Sequence, residues 1–364
     1  MKEVAIVGAG LSGLAAAWKL SKSGARVVLY EKSRGVSGRA ATRRREEYLY
    51  DHGANFFRTE DPEVAKLVHD TLSSTDLLEI PGEVWTFDRG GVVEPGDVVQ
   101  NAVPKYSYRD GIKTLGKLLL LEAGATLRAG ICISGLRHGD AGWDLLGAGG
   151  ETLGPHDEVI LSPPAPQAAE ILMGSEMDSP LRVGIVEGLR SITYRPQFSF
   201  ILGFKERIER PGPVHALVNS DGDHSVSWIS FEEDKPGHVL AGESVLVAQM
   251  SPAWTRSHFE EPPEALLPEI MRQVRTLLPG VEAQPDWWDS QRWRYAHPEA
   301  AMDPGVARLG ESSGLHLCGD ALAGRGRVTL AIKTGLECAR RVIARGKDGE
   351  DGAAVSGCGQ TDQS

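Results

Sequence analysis

An α/β fold in two lobes is predicted, one of them built on a parallel sheet. Three observations predict it. Residues 4–7 form an apolar run that breaks into glycines and then takes helical spacing as far as Leu20. Residues 26–30 form a second apolar, β-branched run, and a strand-then-helix pattern returns far downstream, from Leu315 through Val328. Strands alternating with helical stretches predict a parallel sheet with crossover helices.

Size and composition fit that expectation. With 364 residues, the chain is too long for one ordinary core. Its 41% hydrophobic and 24% charged residues are those of a globular protein. The formal charge of −11 opposes a nucleic-acid partner, because binding a phosphate backbone needs clustered cations. No stretch approaches the roughly 18 continuous apolar residues of a spanning helix. The best candidate, LGKLLLLEAGA, contains Lys117 and Glu122. The N-terminus lacks the basic and apolar regions of an export signal, so a cytoplasmic protein with no membrane partner is expected. Cys132, Cys318, Cys338 and Cys358 are widely spaced, suggesting neither a metal site nor disulfides.

The N-terminal segment carries the first chemistry. Gly8, Gly10 and Gly13 stand in G-A-G-L-S-G between strand and helix, and Glu31 ends the second strand eighteen positions past Gly13. In such a unit the first glycine makes the turn, the second lets backbone approach a pyrophosphate, and the third allows close helix–strand packing. The phosphates sit on the N–H groups of the helix start, and the acid accepts from a ribose 2′-OH. A dinucleotide site follows, and these residues alone leave NAD and FAD open.

The next segments bring a resemblance. Gly38 and Arg39 follow Glu31 and Lys32 in EKSRGVSGRAATRR, and the chain here resembles the amine-oxidase-like FAD superfamily, which carries Gly-Gly-Arg at this place. Ser37 replaces the first glycine. The segment YLYDHGANFF, with Gly53, Ala54, Asn55 and Phe56, is similar to the stretch that lies along the flavin in that superfamily and narrows the likeness to the renalase family. Renalases typically show Gly-Ala-Gln-Tyr there. Ser12 matches a hydroxyl near the phosphates, and Ile133 matches a strand position facing adenine, although any β-branched core residue would look the same. Gly319-Asp320, followed by a helix starting near Val328, resembles the second flavin motif, in which the acid bonds the ribityl chain. An N-cap role for Asp320 is the alternative.

The resemblance covers residues 1 to about 345, including VILSPPAPQAAEIL, SITYRPQFSFILGF and WWDSQRWRYAHPE in order. It implies a Rossmann-like FAD-binding domain of the p-hydroxybenzoate-hydroxylase-like type over 1–81, 105–167 and 286–345. The substrate domain, an α+β lobe with an antiparallel sheet, would take 82–104 and 168–285, and 346–364 would be a disordered tail. It also implies non-covalent FAD, hydride transfer from a small molecule such as an aberrant dihydro-NAD(P) isomer, and O2 as acceptor giving hydrogen peroxide. An amine oxidase, a carotenoid- or porphyrin-type desaturase and a non-catalytic binding module are the rival readings.

Candidate substrate residues come from QRWRYAHPE. Strand alternation puts Trp293 and Tyr295 on one face, and Arg292 and Arg294 on the other. Aromatics there would stack a flat ring while an arginine such as Arg292 held its phosphate; core aromatics with surface arginines are the plain alternative. Apolar or small residues at 328, 331, 332, 335, 339, 342 and 343 form one stripe of the last helix, and Lys333 lies off it and reads as solvated. Cys318 reads as a small core residue rather than a covalent flavin attachment.

Overall fold

The computed structural model describes the chain over residues 1–355, with side-chain surroundings to 345. Five parallel strands lie side by side in the order Leu315–Leu317, Glu158–Leu161, Glu3–Val7, Arg26–Glu31 and Thr126–Ala129. The N-terminal strand is central and covered on both faces, which is why residues 4–7 read as an unbroken apolar run. Val4 and Ile6 point into one hydrophobic cluster and Ala5 and Val7 into another, following the strand period of two.

The first face is covered by the helices Leu11–Lys22, Thr114–Ala123 and Val328–Val355. The predicted stripe of the last helix is the buried one: Ile332, Ala339 and Val342 enter the cluster, with Leu336 and Cys338 beside them. This helix meets the first one so closely that a Cβ on Gly335 would stand 2.1 Å from the Ser12 carbonyl oxygen. Under the other face lie the helices Ala165–Met173 and Ser179–Arg190 and a three-stranded antiparallel sheet, Ile133–Gly139, Gly142–Gly147 and Thr152–His156.

A seven-stranded sheet forms the other layer, in the order Trp287–Pro298, Tyr194–Phe204, Ser244–Met250, Val226–Phe231, Val214–Asn219, Glu83–Phe87 and Val93–Glu94. All neighbours are antiparallel except Val214–Asn219 with Glu83–Phe87. One face packs Phe198, Phe200, Ile229 and Leu246 against the helices Pro252–His258 and Pro263–Leu277. The opposite face receives the hairpin Thr42–Arg45 and Tyr48–Asp51, with Tyr48 and Tyr50 against Ile201, Val245 and Val247.

Three expectations shift. The strand Trp287–Pro298, placed by sequence in the cofactor lobe, hydrogen-bonds along Tyr194–Phe204 and completes the seven-stranded sheet. The helices around residues 168–190, placed in the substrate lobe, pack beneath the parallel sheet because Ile171, Leu172, Ile185 and Leu189 find their apolar partners there. The expected tail over 346–364 overlaps the last helix, which runs to Val355. Its remainder and Cys358 lie outside the described residues.

Gly335→Ala forces the two packed helices apart. A loss of about 1–3 kcal/mol is expected, read as a lower urea midpoint at unchanged m-value.

Candidate functional site

The glycine turn has the geometry its spacing predicts. Gly8 has φ +95° and donates its N–H to the Tyr30 carbonyl at 2.8 Å, tying the turn to the second strand. A Cβ at Gly13 would stand 2.3 Å from the Gly8 carbonyl oxygen and 3.2 Å from Ile6, so only glycine permits this helix–strand approach. A Cβ at Gly10 would meet nothing within 4 Å, leaving open space above the helix start. No side chain caps that helix and no acid stands in its first turn, so its positive end is free for an anion. Glu31 accepts from Ala9 N–H and Ser33 N–H, both at 2.8 Å, which fixes its carboxylate beside the turn. Lys32 is exposed. Ile133 is buried at the start of its strand, packed in the cluster that contains Val28 and Tyr30.

The two distant motifs touch. Arg39 Nη1 donates to Asp320 Oδ2 at 2.6 Å and to the carbonyls of Tyr295 and Ala296 at 2.9 and 3.1 Å. Its Nε and Nη2 make no protein hydrogen bond among the described residues, so one side of the guanidinium fork remains available. Asp320 is almost wholly buried and also accepts from the Tyr194 hydroxyl at 3.1 Å. The N-cap of its short helix is Gly319, so Asp320 is not a cap. Gly319, at φ +123°, donates to Thr334 Oγ1, and an added Cβ there would lie 3.8 Å from Ser12 Oγ. Gly10 and Ser37 bridge, with Ser37 N–H donating to the Ala9 carbonyl at 2.8 Å. Gly38 thereby comes close to the glycine turn, where an added Cβ would stand 3.3 Å from the Gly10 Cα, and the last helix begins at Val328.

Residues 52–56 run between the layers. Ala54 N–H donates to the Arg39 carbonyl at 3.0 Å, and a Cβ on Gly53 would stand 2.0 Å from that oxygen and 3.2 Å from the Trp293 ring. The Gly53 carbonyl accepts from Gln249 Nε2 at 2.8 Å. The Asn55 amide donates inward to the Asp51 carbonyl at 2.6 Å; its shorter side chain serves the turn itself. The Phe56 ring packs on Trp228 at 5.8 Å.

On the seven-stranded sheet, Trp293 stacks on His52 at 5.4 Å and donates its Nε1–H to the His52 carbonyl. Tyr295 meets Tyr194 edge-on at 5.7 Å. Burial and the Arg43 guanidinium push His52 down to about 4, and its Nδ1 has no partner among the described residues. Arg292 does not join this face. It lies opposite Phe198 in the register, stacks over that ring at 4.8 Å and donates to the Glu261 carbonyl. The strand alternation that placed Trp293 inward turns Arg292 toward the covering helices. Lys333 pairs with Asp61 at 2.9 Å and is nearly half exposed, and Cys318 is buried, as read from sequence.

Sequence reasoning missed the anchor beneath this segment. Lys235 is fully buried, with Nζ 2.9 Å from Asp51 Oδ2 and 2.7 Å from Glu232 Oε1. Glu232 also accepts from the Asp51 N–H at 3.1 Å and lies 2.9 Å from His238 Nδ1. Asp51 further accepts from Thr42, Ser107 and the Ile112 N–H. Burial alone would raise the Asp51 pKa, but Lys235 and His238 outweigh it and hold it low; the two carboxylates likewise hold Lys235 high. Asp51 and His238, with Glu232, have the spacing of a metal site, and the Lys235 ammonium supplies the cation there. The only sequence signal was Lys235 next to Pro236 and Gly237 in a run of acids, which reads as a surface turn.

A lowered carboxyl and a raised ammonium contribute stability between the two unfolded values, about pH 4 and about pH 10, and lose it outside. Lys235→Met leaves buried charge unpaired and costs about 3–5 kcal/mol at pH 7. The loss shrinks toward pH 4, because without the ammonium burial raises the variant's Asp51 carboxyl and favours its neutral form there; urea titrations at both pH values check this.

Comparison with known proteins agrees with this geometry. Residues 6–71 match the model for the NAD(P)-binding Rossmann-like domain, and residues 103–343 match that for flavin containing amine oxidoreductase. A protoporphyrinogen oxidase 2 of Arabidopsis thaliana is 42% identical over 69 residues, which make up 19% of this chain and 14% of that protein. A protein described as a protoporphyrinogen oxidase from Exiguobacterium sp. 255-15 superposes with TM-score 0.74 at 14% identity, covering 94% of this chain and 99% of that one. Cyclohexylamine oxidase from Brevibacterium oxydans gives TM-score 0.72 at 12% identity over 95% and 99% of the two chains. At those identities the likeness is one of fold. No helix among the described residues is long and apolar enough to cross a membrane. The chain belongs to the flavin-containing amine oxidoreductase family, and FAD is the cofactor that this membership implies.

Proposed function

We propose that the chain is a renalase-like oxidase that takes a hydride from a dihydro-NAD(P) isomer. The residues present fit FAD. Gly8, Gly10, Ser12 and Gly13 would hold the pyrophosphate at the helix start, Glu31 the adenosine ribose, and the free side of Arg39 the diphosphate. Asp320 and the first turn at Val328 would serve the ribityl and pyrimidine end, and residues 53–56 would run along the ring. Bound there, FAD supplies a two-electron acceptor at N5, from which O2 removes the electrons as hydrogen peroxide.

The observation that carries the substrate reading is the aromatic and uncharged polar lining that the large sheet sets against residues 53–56. The sheet offers Trp293, Gln249, Trp228 and Ser199 there, and Ser199 Oγ and Trp228 Nε1 have no protein partner. The imidazoles nearby are weak bases: burial and the guanidinium groups of Arg39, Arg195 and Arg327 push His297 down to about 4, the level of His52. A dihydropyridine needs no base, because aromatisation of its ring drives hydride loss. Aromatic walls orient a flat ring, and hydroxyl and indole donors can receive a carboxamide.

Anaerobic mixing with 2- and 6-dihydro-NAD(P) is expected to bleach the flavin rapidly while simple amines leave it yellow; the reverse pattern would make the chain an amine oxidase. Arg39→Ala is expected to retain FAD at least about tenfold more weakly after gel filtration, with Arg39→Lys intermediate because it keeps the charge without the fork. Full occupancy in Arg39→Ala would remove the arginine from the cofactor site.

A further inference from the structure

Arg292 is turned away, so any anionic part of a substrate must be held elsewhere. Four other arginines gather at one end of the site. Residues 325–327 lie against the Trp287–Pro298 strand: a Cβ on Gly326 would stand 2.4 Å from His297 Nδ1 and 3.1 Å from the Ala296 carbonyl oxygen. Arg195 is paired with His297 across the adjacent strands. Arg58 follows the 53–56 segment, stands over Phe56 at 5.7 Å, and its carbonyl accepts from Thr329 on the first turn of the last helix. The backbone therefore brings Arg58, Arg195, Arg325 and Arg327 around the Val328 helix start and the Phe56 end of the flavin-facing segment.

None of the four is within salt-bridge distance of a carboxylate among the described residues. Arg210, for comparison, is held by both Glu233 and Asp234. Arg58 donates from Nη2 to the Gln100 carbonyl, while its buried Nε has no partner. Crowding by protein atoms and the neighbouring charges of Arg58, Arg325 and Arg195 lower the pKa of Arg327, with Glu60 acting the other way, so the groups repel one another. Lys105, also buried, is lowered by burial and by Arg58. Uncompensated repulsion of this kind is relieved by a bound anion.

We infer that Arg58, Arg195, Arg325 and Arg327 form the recognition site for the anionic groups of the substrate, which is a polyanion such as a dinucleotide rather than an ammonium. The inference rests on the proposed hydride-transfer reading for the position of the reacting ring. It deepens that reading by giving the charge that the substrate carries away from the ring. Planar forks suit phosphate and carboxylate oxygens alike, so a pyrophosphate and a porphyrin's propionates share the chemistry. An amine approaching as its cation would be repelled.

The test uses the FAD-loaded full chain and three non-reacting probes in titration calorimetry: ADP-ribose, coproporphyrin III and cyclohexylammonium. ADP-ribose is expected to bind, with affinity falling as salt rises, and cyclohexylammonium to give no heat. Arg195→Gln and Arg325→Gln should each weaken ADP-ribose by about tenfold while leaving FAD content and the unfolding midpoint unchanged. Binding of coproporphyrin III in place of ADP-ribose, with the same sensitivity to both variants, upholds the anion site and overturns the dinucleotide reading. Failure of dihydro-NAD(P) to bleach the flavin likewise leaves the anion site standing if the calorimetry holds. Unchanged ADP-ribose and coproporphyrin affinities in the Arg195→Gln, Arg325→Gln double variant overturn the inference. So does loss of FAD from that variant, which would give the arginines to the cofactor.

Discussion

The bond between Arg39 and Asp320 joins residues 281 positions apart, and the site depends on it. It draws the loop after the second strand onto the turn after the last one. The same guanidinium nitrogen reaches the Tyr295 and Ala296 carbonyls, so the seven-stranded sheet is fixed at the same point. Three pieces of chain that the parallel sheet and the antiparallel sheet present separately thus acquire one geometry. The carbonyl of Arg39 then receives the Ala54 N–H, so the segment 53–56 hangs from the same residue.

A second set of charges holds that segment from beneath. Asp51 sits at its start, on a strand of the small hairpin, and Lys235 and Glu232 sit beyond the end of a strand in the large sheet. Removing ions from water is costly, and the cluster is stable because each carboxylate oxygen meets a cation or a donor. Such a site tolerates little movement, so the segment that starts at Asp51 is held in one place. Ser37 shows a similar compromise: it takes φ +84°, a conformation that favours glycine, and its hydroxyl donates to the Lys113 carbonyl at 2.8 Å.

Local pattern made the cofactor half legible. Gly8, Gly10, Gly13 and Glu31 lie within one β-α-β unit, and the stripe through Ile332, Ala339 and Val342 repeats at helical spacing, so each could be read from neighbours in sequence. The face of Trp293 followed from strand alternation, but the strand's partner did not: Trp287–Pro298 joins the large sheet through pairing with residues about a hundred positions earlier. The Lys235 anchor was hidden for the same reason. Glu232, Glu233 and Asp234 beside it look like a solvated turn, and only tertiary structure shows Glu232 and Lys235 to be dry. The arginine cluster draws on residues near 58, 195 and 326, and no sequence window contains all of them.

The strand order of the parallel sheet has a consequence for the order of folding. The strand Glu3–Val7 lies in the middle, while one edge is filled by Leu315–Leu317 and one face is sealed by the helix that follows. Ile6, Leu14 and Ile160 therefore gain complete cover only when segments far apart in sequence have met. A core closed by so distant a pairing leaves apolar surface open to aggregation until that pairing forms.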